Sequence, residues 1–188
     1  MTGDCVRICP TGAIQFTGSK ITVSGVISEI EKDKLYYSTS GGGVTLTGGE
    51  PLYQPEFSKK ILEECRKMNI HSAMETCLFC ERSTIERIID LVDLFIVDMK
   101  IFDGDKHVWY TGKPNDIIKD NIRYLSESGK SILIRIPMIE NITDNEENKT
   151  AIRRFISSID SRIPIEYLSY NSLAGNNYLK LGIPFMIK

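Results

Sequence analysis

The stretch Ser40-Gly41-Gly42-Gly43-Val44-Thr45-Leu46-Thr47-Gly48-Gly49-Glu50-Pro51 decides how this chain is read. A short β-branched run lies between two groups of glycines. Glycine weakens a strand and offers nothing to pack. Its usual reason there is a tight bend, or backbone that must come close to a ligand. The second pair falls where the strand should end, and Glu50 follows it. These residues describe a place where bare backbone and one carboxylate receive a cationic small molecule. Taken alone, Glu50 would read as a solvated turn residue, because Gly and Pro are common in turns.

Outward from this stretch, short apolar runs alternate with amphipathic segments. The runs cover residues 44–46, 70–74, 94–97, 132–136 and 165–168, and the amphipathic segments cover 56–68, 81–90, 115–128 and 144–159. Thr143 with Glu146 predicts a capping box at the start of the last segment. Alternation of this kind predicts an α/β fold, with parallel strands joined by helical crossovers. Each run closes on polar groups: Gly48-Gly49-Glu50, Glu75-Thr76, Asp98-Met99-Lys100, Arg135, and Ser169-Tyr170-Asn171. Parallel α/β folds bind ligands at the carboxyl ends of their strands, so these five ends outline one site. An open sheet and a barrel both predict it.

Size and composition narrow the function. The 188 residues fit one domain, with room for a small appendage, and can bury a real core. Hydrophobic residues at 41% and charged residues at 26% are ordinary for a soluble globular protein. The formal net charge of -2 argues against a nucleic-acid partner. No apolar stretch approaches the roughly 20 residues of a membrane helix, so no membrane association is expected. The start, Met1-Thr2-Gly3-Asp4-Cys5, lacks the basic and apolar regions of a secretory signal. The sequons at Asn141 and Asn148 are therefore expected to be coincidental. Five cysteines in that setting read as reduced thiols or metal ligands of a cytoplasmic protein.

Gly48-Gly49-Glu50-Pro51 after a short strand resembles the motif by which radical S-adenosylmethionine (SAM) enzymes hold the methionine amino group of SAM. Residues 40–54 resemble one branch more closely, the activating enzymes of glycyl radical enzymes, in particular the pyruvate formate-lyase class. The resemblance implies a partial (β/α) barrel and a SAM site. It gives Gly48 and Gly49 as backbone contacts and Glu50 as the charge facing the SAM ammonium. Glu75 and Thr76 would lie beside the SAM carboxylate, where their oxygens can hold a monovalent cation. The family commonly has glycine where this chain has Leu78. Asp98 and Lys100 share a strand face, with Met99 turned away. By resemblance they face SAM and the incoming glycyl loop.

Arg135 interrupts an apolar run, and a charge there implies an anion nearby. Its residues leave two partners open: an internal carboxylate such as Asp98, or the SAM carboxylate or substrate backbone. Asn171 stands where many relatives have His, so a His-specific role does not carry over. Cys77 and Cys80 form a lone C-x2-C with no second pair, for which packing or a surface thiol is the expected reading.

Cys5-Val6-Arg7-Ile8-Cys9-Pro10 fits the last part of a ferredoxin-type cluster run, C-x2-C-x2-C-x3-C-P. Thr2 stands where the preceding Cys should be. Cys5 and Cys9 are thus an incomplete [4Fe–4S] ligand set. The resemblance makes residues 1–24 the tail of a ferredoxin-like insertion, with up to two further clusters in the intact insertion. Residues 25–188 become the partial barrel, first strand missing. The C-x3-C-x2-C that holds the catalytic [4Fe–4S] cluster is absent, so this chain reads as a fragment expected to be inactive alone. The whole protein is expected to cleave SAM reductively to a 5′-deoxyadenosyl radical, which abstracts a glycyl hydrogen from a partner such as pyruvate formate-lyase. A flavodoxin or ferredoxin-type reductant would supply the electron. A non-catalytic barrel remnant and an iron–sulfur electron-transfer protein are the alternative readings.

Overall fold

A computed structural model describes residues 4–14, 19–170, 178 and 182. In chain order the elements are α1 (Asp4–Arg7), α2 (Val23–Lys32), α3 (Lys34–Ser40), β1 (Gly43–Leu46), α4 (Pro55–Lys67), β2 (His71–Thr76), α5 (Arg82–Glu86), β3 (Leu94–Asp98), α6 (Gly104–Thr111), α7 (Asp116–Glu127), β4 (Ser131–Met138), α8 (Glu146–Ile159) and β5 (Ile165–Ser169). Single 3-10 turns cover Pro51–Tyr53 and Ile89–Leu91.

The strands form one parallel sheet in the order β1-β2-β3-β4-β5. Spatial order follows chain order without reversal. Right-handed crossovers then lay every connecting helix on the same face. This is the winding of a partial (β/α) barrel, whereas a doubly wound sheet reverses its strand order at a switch point.

The helix-covered face holds the core. Met74, Phe95, Val97, Ile132, Ile134 and Ile136 pack there against Leu62 of α4, Ile118, Ile122 and Leu125 of α7, and Ile152 and Ile156 of α8. A smaller cluster joins Ile30 of α2 to Ile61 and Cys65 of α4, with Val23, Val26 and Ile27 packed on it. Successive strand residues point to opposite faces, so the open face receives the alternate set. Part of that set is polar: Glu75 and Asp98 near the carboxyl ends of β2 and β3, Arg135 within β4, and Glu166 near the start of β5. Asp98 and Arg135 are register partners, as are Arg135 and Glu166.

Several local expectations are corrected. The helix expected at 144–159 starts at Glu146, and its cap is Asn145, whose side chain accepts from Asn148 N at 2.9 Å. Thr143 forms no capping box. Its hydroxyl is buried, donating to Pro137 O and accepting from Ile139 N, and so closes the turn after β4. The segment expected as one helix over 81–90 splits into α5 and a 3-10 turn, a bend that buries Ile85, Ile88 and Ile89. Helices α2, α3 and α6 lie outside the amphipathic segments read from sequence. Each of two carries a signal: Thr22 caps α2 through Gly25 N, and Asp103 caps α6 through Lys106 N. Helix α2 runs unbroken through residues 24 and 25.

Candidate functional site

The site is built on the carboxyl ends of β1, β2 and β3 and on Arg135 of β4, which does not close its strand as expected, because β4 continues to Met138. After β1 the chain reaches Gly48 at φ 119, a region L side chains rarely adopt. A Cβ at either Gly48 or Gly49 would meet nothing within 4 Å, so the backbone of both faces open space. Beside them a cavity of about 650 Å³ runs along β1, lined in part by Thr45, Thr47, Gly49 and Glu50.

Glu50 turns back into the protein. One carboxylate oxygen accepts from Leu52 N at 3.1 Å and from Thr76 Oγ1 at 2.7 Å, and the other from Cys77 N at 2.9 Å. Thr76 is 2% exposed, and its hydroxyl also accepts from Leu78 N at 3.0 Å. The carboxylate therefore ties the glycine loop to the end of β2. The Leu78 that replaces the family's glycine sits at φ 54, the backbone conformation glycine adopts freely.

A second network crosses the open face. Thr47 Oγ1 donates to Glu75 at 2.8 Å, Arg135 Nη1 donates to the other Glu75 oxygen at 3.0 Å, and Arg135 Nε donates to Glu166 at 2.7 Å. Of the two partners left open for Arg135, the internal carboxylate is found, but it is Glu75 with Glu166 and not Asp98. The bond to Glu166 foremost holds the Arg135 guanidinium above its usual range. Asp98 instead accepts from Lys100 Nζ at 3.1 Å, and Met99 is buried on the other side. Glu50, Glu75, Thr76, Asp98, Lys100 and Arg135 thus gather at one rim. Asn171 lies outside the described residues.

Sequence reasoning missed two members of this rim, Thr47 and Glu166. Both had a signal. Thr47 is the polar residue closing the β1 run, and Glu166 is the only charge within β5. With Glu166 included, four carboxylates face two cations, and the rim carries an excess of negative charge.

Cys5 lies on α1 and Cys9 just after it. Cys5 is exposed. The Cys9 thiol is lowered to about 7, first by the backbone N–H of Ile14 and then by the Thr11 hydroxyl. Among the described residues, no three His, Cys, Asp or Glu side chains come together as a metal-ligand set.

A family model described as the radical SAM superfamily matches residues 7–151, more than half of the chain. This chain belongs to the radical SAM superfamily.

Relatives agree with the branch that residues 40–54 resemble. The radical SAM chain is 36% identical over 172 residues to the trans-4-hydroxy-L-proline dehydratase activating enzyme of Clostridioides difficile, covering 90% of this chain and 57% of that protein. It is 33% identical over 184 residues to the pyruvate formate-lyase-activating enzyme of Staphylococcus epidermidis, covering 95% and 73%. The crystal structure of a domain of pyruvate-formate lyase-activating enzyme from Bacteroides vulgatus matches with a TM-score of 0.64 at 36% identity, over 70% of this chain and 82% of that one. The chain thus spans little more than half the length of the first of these relatives.

Radical SAM proteins use SAM and a [4Fe–4S] cluster, and the two fit these residues differently. The open backbone at Gly48-Gly49, the flanking carboxylate and the negative rim suit a cationic ligand. The cluster does not fit. Cys65, Cys77 and Cys80 lie on α4 and in the loop after β2, away from any shared ligand set, and Cys5 with Cys9 offer two thiolates where a cubane needs four.

Proposed function

We propose that this chain is the SAM-binding part of an activating enzyme for a glycyl radical enzyme. The observation that carries the reading is the Gly48-Gly49 backbone facing open space, at a rim where Glu50, Glu75, Asp98 and Glu166 outnumber Lys100 and Arg135. SAM carries a sulfonium and an ammonium against one carboxylate, so a rim with surplus negative charge suits it.

In this reading Gly48 and Gly49 offer carbonyls to the SAM ammonium, and Glu50 fixes the loop that presents them. Lys100 and Arg135 are the cations on hand for the SAM carboxylate. Glu75 and Thr76 are the oxygens near which a monovalent cation would sit. Residues 1–24, with Cys5 and Cys9, belong to a ferredoxin-like insertion, and residues 25–188 form the partial barrel, with α2 running across the junction. The Cys9 loop supports that assignment, because backbone N–H groups aimed at a sulfur stabilise the thiolate a cluster requires. Among the described residues no helix is long and apolar enough to cross a membrane. With five free cysteines, this favours a cytoplasmic protein.

SAM supplies the radical chemistry, and the residues here supply binding and orientation. The partner is a glycyl radical enzyme of the pyruvate formate-lyase class, and the reductant a flavodoxin or ferredoxin. Anaerobic reconstitution with iron and sulfide, followed by measurement of 5′-deoxyadenosine, tests the assignment. The 188-residue chain alone yields none, whereas the whole protein yields it and places a glycyl radical on its partner. A whole protein that binds SAM but never cleaves it would replace this reading with a non-catalytic one.

A further inference from the structure

The loop after β2 carries two thiols for which the SAM reading has no use. Cys77 follows Thr76 directly, and its N–H donates to Glu50 at 2.9 Å. Leu78 at φ 54 reverses the chain, and Cys80 N then donates back to Leu78 O at 3.0 Å. Asn121 of α7, 2% exposed, clamps the turn by donating to Leu78 O at 3.0 Å and to Cys80 O at 2.9 Å. Cys77 and Cys80 thus flank a tight, pinned reversal, and both are half-buried rather than sealed in the core as Cys65 is.

We propose that Cys77 and Cys80 are a thiol pair that closes to a disulfide within this loop, a modification site beside the Glu50 carboxylate. Two thiols three residues apart exchange in turn with a small disulfide when their sulfurs can meet. A low-molecular-weight disulfide such as oxidised glutathione is the oxidant. One protein thiolate attacks it, forms a mixed disulfide and expels one glutathione thiol. The second protein thiolate attacks the protein sulfur of that bond and expels the other. Two protein S–H bonds are lost and one S–S bond is formed. The two electrons and two protons leave on two glutathione molecules.

The surroundings set the pace. Burial first, and then the Glu50 carboxylate, push Cys77 up to about 11, with the Phe79 N–H and then Lys100 acting the other way. Burial, Glu50, Cys77 and Glu81 push Cys80 up to about 12. Thiols held protonated react slowly near neutrality. The consequence for the cofactor rests on the reading above: closing the loop shifts Cys77 against Glu50 and so disturbs the glycine turn.

The 188-residue chain provides the test. Trypsin cuts after Lys67 and Arg82, so one peptide, residues 68–82, carries both thiols and no other cysteine. The folded chain is treated with oxidised glutathione at about pH 9, where slow thiols exchange, then alkylated and digested. The expected peptide is two hydrogens lighter than its reduced mass, without alkyl groups. Cys77→Ser and Cys80→Ser each retain one glutathionyl group on the remaining thiol. Two alkyl groups, or two glutathionyl groups, on the unsubstituted peptide would overturn the proposal. Either failure concerns the thiol pair alone and leaves the SAM reading standing.

Discussion

Glu50 carries two duties that its sequence position did not separate. It flanks the glycine pair, as the motif suggests, and it also accepts from Leu52 N, Thr76 Oγ1 and Cys77 N. A glutamine keeps one acceptor oxygen but turns an amide N–H₂ toward donors that need an acceptor. Glu50→Gln is therefore expected to lower unfolding stability by about 1–3 kcal/mol. Glu56→Gln, at an exposed pair with Arg87, should stay within about 0.5 kcal/mol. Urea unfolding of both variants measures the contrast, and equal effects would reduce Glu50 to a solvated turn residue. Cys9 makes a second residue-scale prediction. Its lowered thiol ionises as pH rises through about 7, so alkylation by iodoacetamide should climb through that region and level off above it. A rise that begins only near the ordinary thiol range, about 8.5, would show that the backbone of residues 11–14 does not cradle the sulfur.

At the scale of elements, the strands were legible because their apolar runs are short, regularly spaced and end in polar groups. The structure places β1 to β5 within a few residues of those runs. The failures share a cause, which is competition for a local polar group. Thr143 looks like a helix cap in sequence, but the turn after β4 takes its hydroxyl, and Asn145 caps α8 instead. Arg135 looked ready for Asp98, its neighbour in register, yet Lys100, two residues past the end of β3, takes that carboxylate. Arg135 reaches Glu75 on β2 and Glu166 on β5 instead, linking three strands across the open face. Such choices depend on three-dimensional neighbours and leave no periodic trace. Arg135→Met removes the cation that bridges those two carboxylates. The guanidinium is 24% exposed on its side chain, so the cost falls between that of surface and buried pairs, about 1–3 kcal/mol. Thermal unfolding should show this loss. An unchanged midpoint would mean that solvent already satisfies both carboxylates.

For the whole molecule, one geometric fact organises the rest. A parallel sheet in chain order brings every strand's carboxyl end to the same rim, and residues far apart in sequence meet there. Glu50 and Thr76 are 26 residues apart, and Glu75 and Arg135 are 60. Most of the rim was readable from polar residues near strand ends and parallel winding, but Thr47 and Glu166 were not. Its SAM assignment came from the likeness of residues 40–54 to a known motif. The most direct test of that assignment is amide NMR of the ¹⁵N-labelled 188-residue chain during titration with SAM. The account predicts that perturbed amides cluster at Gly48, Gly49, Glu50, Cys77 and Lys100, while those of α7 and α8 stay still. Saturable shifts centred on the helix-covered face, with the Gly48-Gly49 amides unmoved, would contradict it.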